Sequence, residues 1–443
     1  GNSMRLNTTG FNNSAYGAGA LFQNETGYGN VANGFDALAG NIGGIGNTGN
    51  GYYSLYNNTT GLNNTANGSN ALFNNISGSN NTADGALALY NNKTGYFNVA
   101  IGTNALFSDL IDSNLVAIGD SALFNNGKNT VNWYDGNWNT AIGKRALYAN
   151  TTGYSNTAIG FRSLDSNSVG VQNTALGTSA LNANKTGNNN TAIAPYALYD
   201  NTTGSNNTAV GEQALSSNIS ANSNTAVGFF ALGLSTTGYS NVAIGVHALH
   251  ANSTSSNSTA VGDSALYFNS SDQNTAIGKK ALFLNTTGSG NTAVGYLATA
   301  SPGNLTNATA IGANAVVTQS NAIQLGSPAL TSVNTYGNIT VLNGKGLIRS
   351  NDGTQQKKLV TVVTVNQSLL AGATISIAFS FPESFSGIPD VYVGNVTAGG
   401  GFAEAIMSVT NITTTGGSLF INNPKSTGYV PNYSVKIIAI GPQ

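Results

Sequence analysis

The strongest constraint on this chain is a motif that returns every 17 residues. "NTTGYSNTAIG" at 150–160 comes back as "NTTGSNNTAVG" at 201–211, "STTGYSNVAIG" at 235–245 and "NTTGSGNTAVG" at 285–295. The glycine that closes each N-x-A-x-G unit stands at 17, 34, 51, 68, 85, 102 and 119, every step being 17. After one step of 24 the series resumes at 143 and continues to 262 in steps of 17, with Ala194 replacing one glycine. It ends at 278, 295, 312 and 326, which makes 19 units. Such a chain stacks one small unit on the next, because no single copy can bury a core alone.

The columns of the repeat separate inside from outside. Four residues after the glycine stands Leu in the first 16 units, from Leu21 to Leu282. Four residues before it stands Asn in 15 of the 19; Asn114, Asn257, Asn307 and Asn321 sit one place earlier in the others. The two positions after the glycine vary freely, as in Lys144-Arg145 and Phe229-Phe230, and are expected to face solvent. A 17-residue unit is too short for a helical hairpin, and its Asn, Thr and Gly are poor helix formers. It suits one coil of a parallel β-solenoid: a strand at N-T-A-I-G, a corner, a short segment through x-x-A-L and a turn at N-T-T-G. In the strand Thr and Ile point one way, Asn and Ala the other. The Ala column is expected to let another layer approach closely, and so to serve a homotrimer. At Ala194-Pro195 a residue before proline favours extended backbone. The glycines elsewhere are therefore expected to serve close packing more than positive φ.

The unit N-T-A-I-G-x-x-A-L resembles the head repeat of YadA-type trimeric autotransporter adhesins. Its N-T-T-G-spaced form is similar to repeats in surface fibres of phages, large viruses and Bacteroidetes. The resemblance spans roughly residues 10–330 and implies a left-handed parallel β-roll of about 19 coils assembled as a homotrimer. With strands about 4.8 Å apart the roll would be roughly 90 Å long.

Residues 1–330 form this shaft, and 331–358, rich in Gly and Asn, reads as a neck. From 359 to 443 short alternating strands between turn residues indicate an antiparallel β-sandwich. Here "FSFPESFSGIPDVYVGNVT" and "YSVKIIAIG" resemble an H-type lectin-like fold. The resemblance implies a glycan-binding tip, but Ile437 stands where that family often has Trp, and no sugar-contacting residue is carried over. A tip that only caps and trimerises the shaft is the other reading.

Composition excludes several activities. Only 7% of residues are charged and the net charge is −1, which gives no electrostatic case for nucleic acid. Without cysteine there is no disulfide, zinc-thiolate site or thiol nucleophile. No run of about 18 apolar residues is present to span a membrane as a helix. Acidic residues seldom pair, no G-x-S-x-G elbow accompanies a histidine, and His247 and His250 are expected in solvent. No catalytic residue, cofactor or metal is expected. The start "GNSMRLN" reads as processed or truncated.

One stretch invites recognition. The 24-residue step enlarges the loop at 124–138, which holds both tryptophans of the protein. Trp133, Tyr134, Asp135 and Trp138 are the candidate ligand-binding residues, since aromatic side chains on a protruding loop are costly to expose without a use; the other reading is that the aromatics fold back over the roll. The expected function is that of a non-enzymatic extracellular or virion fibre, viral or bacterial, which projects its β-sandwich tip, the preferred site, for attachment to a host glycan or receptor. The alternative is a purely structural subunit of a filament or coat. A Thr ladder of the ice-binding kind is weakened by Val99 and Val242.

Overall fold

A computed structural model describes residues 3–129, 131–330, 346–349, 355–365, 369–370, 374–381, 389–398, 406–413, 415–422, 429–430 and 433–442. Among them there is no α-helix, and so none that could cross a membrane. The chain divides into two units, Gly1–Ser332 and Val333–Gln443.

The first unit is a parallel β-solenoid built on a sheet of 19 strands, most of them three residues long. Register is kept coil by coil: Thr191, Ala192 and Ile193 pair with Thr208, Ala209 and Val210. It survives the long step, where Val116 pairs with Thr140, and the shortest, where Thr309 pairs with Ile323. β-Branched Thr, Val and Ile suit the outward positions of such short strands. The Ala between them is buried in nearly every coil.

The core is narrow. It consists of the strand Ala column, a second Ala column three residues past the corner, and the Leu column, all 16 members of which are fully buried. Gly49, which replaces a strand Ala, shows what that column meets. A Cβ there would lie 3.0 Å from Ser54 Oγ and 3.5 Å from Leu38 Cδ1. The small side chain therefore lets the opposite wall of the same roll approach, not a neighbouring chain. This corrects the expectation that the Ala column serves a trimer contact. The column that does face outward precedes the corner: Ile101, Leu176, Ile244 and Ile277 are 39%, 44%, 41% and 42% exposed. At the N-terminal end it holds Tyr16 and Asn33, both exposed, and Asn50 Nδ2 donates to Asn67 Oδ1 at 2.9 Å along the surface.

The corner glycines from Gly17 to Gly312 have φ between +113° and +146°, and Ala194 adopts +109° in the same column. The corner thus demands positive φ, and stacking between Gly177 and Gly211 overrides the extended preference that Pro195 would impose. Close packing is also real, since a Cβ on Gly228 would come within 2.6 Å of Gly245 O. Positive φ recurs at the second free position, as in Arg145 and Lys280, and at every column Leu, near +50°.

Two buried Asn columns complete the coil. In the turn column, Asn58 Nδ2 donates to Asn41 Oδ1 at 2.8 Å and Asn75 Nδ2 to Asn58 Oδ1 at 2.7 Å. In the column before the strand, the Asn Oδ1 accepts the backbone N–H of the same position in the next coil, as from Asn64 N to Asn47 Oδ1 at 2.9 Å, even where that position is Leu115 or Ala308. There the main chain has turned away, and a side-chain carbonyl takes the place of the missing backbone acceptor.

The second unit is antiparallel. One sheet orders Gly346–Arg349, Gln355–Val365, Tyr433–Pro442 and Asp390–Ala398; another orders Thr374–Ser380, Gly416–Asn422 and Ile406–Thr410. Of the segment 331–358 read as a neck, 331–345 and 350–354 lie outside the described residues. Gly346–Arg349 and Gln355–Lys358 pair with each other as strands of the first sheet.

Candidate functional site

The enlarged loop leaves the coil between two ladder positions. Asn126 keeps its place in the turn column, its Oδ1 accepting from Asn150 Nδ2 at 2.7 Å. Asn139 keeps the column before the strand and donates to Gly153 O at 2.8 Å. Because both anchors hold, the extra residues bulge without disturbing the register on either side.

Asp135 organises the bulge. It is 7% exposed, and its Oδ2 accepts from the backbone N–H groups of Asn132 at 2.8 Å and Val131 at 3.0 Å. Burial works against its charge, but these N–H groups and the Asn132 amide outweigh it and hold the carboxyl below its ordinary range. Asn137 ties the loop to the preceding coil: its Oδ1 accepts from Ser113 N at 2.7 Å and its Nδ2 donates to Trp133 O at 2.7 Å. Tyr134 lies edge-on against Tyr154, with centroids 5.2 Å apart.

The tryptophans are left outside. Trp133 is 79% exposed and Trp138 43%, and the two indoles meet perpendicularly at 5.8 Å. Trp138 has φ +56°, in a turn column that elsewhere mostly holds Asn, Ser, Gly or Gln. A bulky side chain pays about 1–2 kcal/mol for that backbone. Of the four candidate residues, then, Trp133 and Trp138 present a surface, Tyr134 supports it, and Asp135 is engaged by the loop's own N–H groups. Such an indole pair offers a flat apolar face and N–H donors to a ligand of mixed character.

Other features were missed from the sequence. In six consecutive coils the residue after the column Leu forms a half-buried stack: Tyr56, Phe73, Tyr90, Phe107, Phe124 and Tyr148 follow one another at 5.1–5.3 Å with planes within 17°. Arg145 closes it, 4.3 Å over Tyr148, while pairing with Asp165 at 3.0 Å. The signal was available as a shared residue class in one column. Where Ala39 interrupts that column between Phe22 and Tyr56, a cavity of about 370 Å³ opens, with Gln23, Asp36 and Asn57 at its edge. The histidines are not in open solvent. Both are half-buried, His247 stacked on Phe230 at 5.7 Å and His250 with Nδ1 3.2 Å from Phe230 O. Burial holds the His250 pKa below its ordinary value. Among the described residues no group of three or more His, Cys, Asp or Glu could hold a metal ion.

No protein family, curated protein or solved structure matches this chain.

Proposed function

We propose that the chain is a non-enzymatic attachment fibre. Its solenoid spaces a recognition surface away from a virion or bacterial surface, and it acts as an extracellular homotrimer. The observation that carries the reading is the loop: a regular stack is interrupted by one large insertion, and that insertion presents an exposed, pinned pair of indoles. Aromatic anchors of this kind are favoured at recognition patches. The C-terminal unit, read as a β-sandwich of the H-type lectin-like kind, is the second contact surface, and a glycan is the preferred ligand. Three copies would make weak contacts effective through avidity.

Support for self-association comes from the outward aliphatic column. From Ile101 to Leu325 it runs along the sheet as Ile, Val or Leu, half-exposed or exposed in every coil among the described residues. Continuous apolar stripes of this length are unusual on monomers.

Glycan-array binding by the purified protein, with its mass measured by light scattering, tests the reading. Replacing Trp133 and Trp138 by Ala should remove binding through the loop, and deleting 359–443 should remove binding through the second unit. A shaft lacking both that keeps its trimeric mass and still binds would move recognition to the repeat and overturn the proposal. A monomeric parent would overturn the trimer, and an intact trimer without any ligand would favour the purely structural subunit.

A further inference from the structure

Directly beneath the loop, one coil departs from the repeat in two columns at once. Asp109 stands in the turn Asn column and Asp112 in the column of Gly95 and Gly153. Both are buried, at 0% and 3% exposure. Asp109 has the shape of the Asn it replaces, and its Oδ1 accepts the Asp112 N–H at 3.2 Å. Its Oδ2 therefore takes the place of the amide nitrogen that would donate to the coil before. The acceptor waiting there is Asn92 Oδ1, and both Asn92 Oδ1 and Asp109 Oδ2 are buried without a partner. A buried group of acceptors such as this lacks a hydrogen, and the Asp109 and Asp112 carboxyls meet side chain to side chain, a contact that needs a proton on one of them. A second orphan, Asn218 Oδ1, lies below Ser235, whose Oγ is also unpartnered. There a shorter Ser replaces the Asn, whereas Asp109 keeps the Asn length and lacks only the amide hydrogens.

We propose that the Asp109–Asp112 pair is a proton-binding site. Asp109 holds its carboxyl proton in neutral solution and shares it with the Asp112 carboxyl beside it. Release of a proton from the pair as pH rises through neutrality shifts the tryptophan loop seated on it.

The surroundings favour a proton over a metal ion. A Cβ on Gly127 or on Gly136 would run into Asp112 Oδ2, so the two glycines leave room for the carboxylate and little else. Asp112 Oδ2 accepts from Asn126 Nδ2 at 2.9 Å, which also donates to Gly136 O at 3.1 Å in the loop. The charged groups nearby are few. Lys93 and Lys128, in the coils on either side, are exposed and pair with neither carboxyl. The loop contributes Asp135, whose negative charge acts on Asp112. Burial first, and then the Asp112 charge, raise Asp109 well above the ordinary carboxyl range; burial pushes Asp112 up to about 7. Both folded values lie above the unfolded ones. The pair's stabilisation is therefore complete below about pH 4 and is lost as pH rises through about 7 and beyond. Ionising Asp112 adds a second buried negative charge under Asp135.

The protein has two tryptophans, both in the loop, so tryptophan fluorescence reports on this place alone. In the parent, emission should titrate with a midpoint near pH 7, where Asp112 ionises. In D109N the amide completes the ladder step. The titration should shift or vanish, and so should the infrared carbonyl band of a protonated carboxyl seen in the parent at neutral pH. Circular dichroism of D109N at neutral pH keeps the test independent of misfolding. D112N, expected to abolish the fluorescence step while keeping the infrared band, separates the two carboxyls. An unchanged titration in D109N and D112N would overturn the proposal. So would restoration of the neutral-pH signal at alkaline pH by millimolar calcium, which would make the pair a cation site.

Discussion

Asn207→Ala tests whether the Asn column before the strand supports the stack or merely occupies it. Asn207 is fully buried, with Nδ2 donating to Asn190 Oδ1 at 3.2 Å and to Ala221 O at 2.8 Å. Its Oδ1 accepts the Asn224 N–H at 3.0 Å. After truncation Ala221 O keeps the Asn218 amide, and Asn190 Oδ1 keeps the backbone N–H of residue 207. The damage falls on the Asn224 N–H, a buried donor left with no acceptor, which costs about 1–3 kcal/mol. The void adds to this, so the total is roughly 2–4 kcal/mol. Asn207→Leu fills the void and leaves the donor orphaned, so it should recover only the smaller part. Denaturation midpoints give the size of the loss, and amide exchange at Asn224 gives its place. Because each rung touches only its neighbours, faster exchange should be confined to the coils nearest the substitution. If both variants stayed within about 0.5 kcal/mol of the parent, as surface changes do, and Asn224 exchanged as before, the acceptor role assigned to the column would be refuted.

Leu181→Ala should cost about 2–5 kcal/mol by denaturation, since Leu181 is fully buried. Ala209→Arg should unfold its coil rather than disperse a trimer, whereas Ile193→Arg on the outward column should lower the mass by light scattering with circular dichroism intact. Gly228→Ala should cost about 1–3 kcal/mol, for positive φ, and more if Gly245 O cannot give way; Ala194→Gly should be neutral or stabilising in the same melt. Ala39→Phe should bridge Phe22 and Tyr56 and raise stability by about 0.5–1.5 kcal/mol, and a lower melting temperature would mean that the cavity cannot take a ring.

Register and burial were legible because they depend on separation, which a sequence states outright. Leu21 to Leu282 recur at one offset from the corner, and all are buried. Direction within the coil was only half legible. Period-two alternation put Thr and Ile opposite Asn and Ala, but could not say whether Ala met the far wall of its own roll or another chain; the distance from Gly49 to Ser54 and Leu38 decides that. Backbone conformation was not legible at all. Arg145, Phe230 and Lys280 carry no preference for positive φ, which the stack imposes on whatever residue occupies the column. The loop was visible as a long step with two tryptophans. The role of Asp135 was not, because its partners are main-chain N–H groups. The Asp109–Asp112 coil was open to detection and was passed over. Two acids replacing an Asn and a Gly in the same coil leave acceptors where the repeat requires a donor, and columns read only for what they share conceal that. In a chain built of copies, the chemistry lies where a copy departs from the others, and the physical question at each departure is which hydrogen bond of the standard coil can no longer be made.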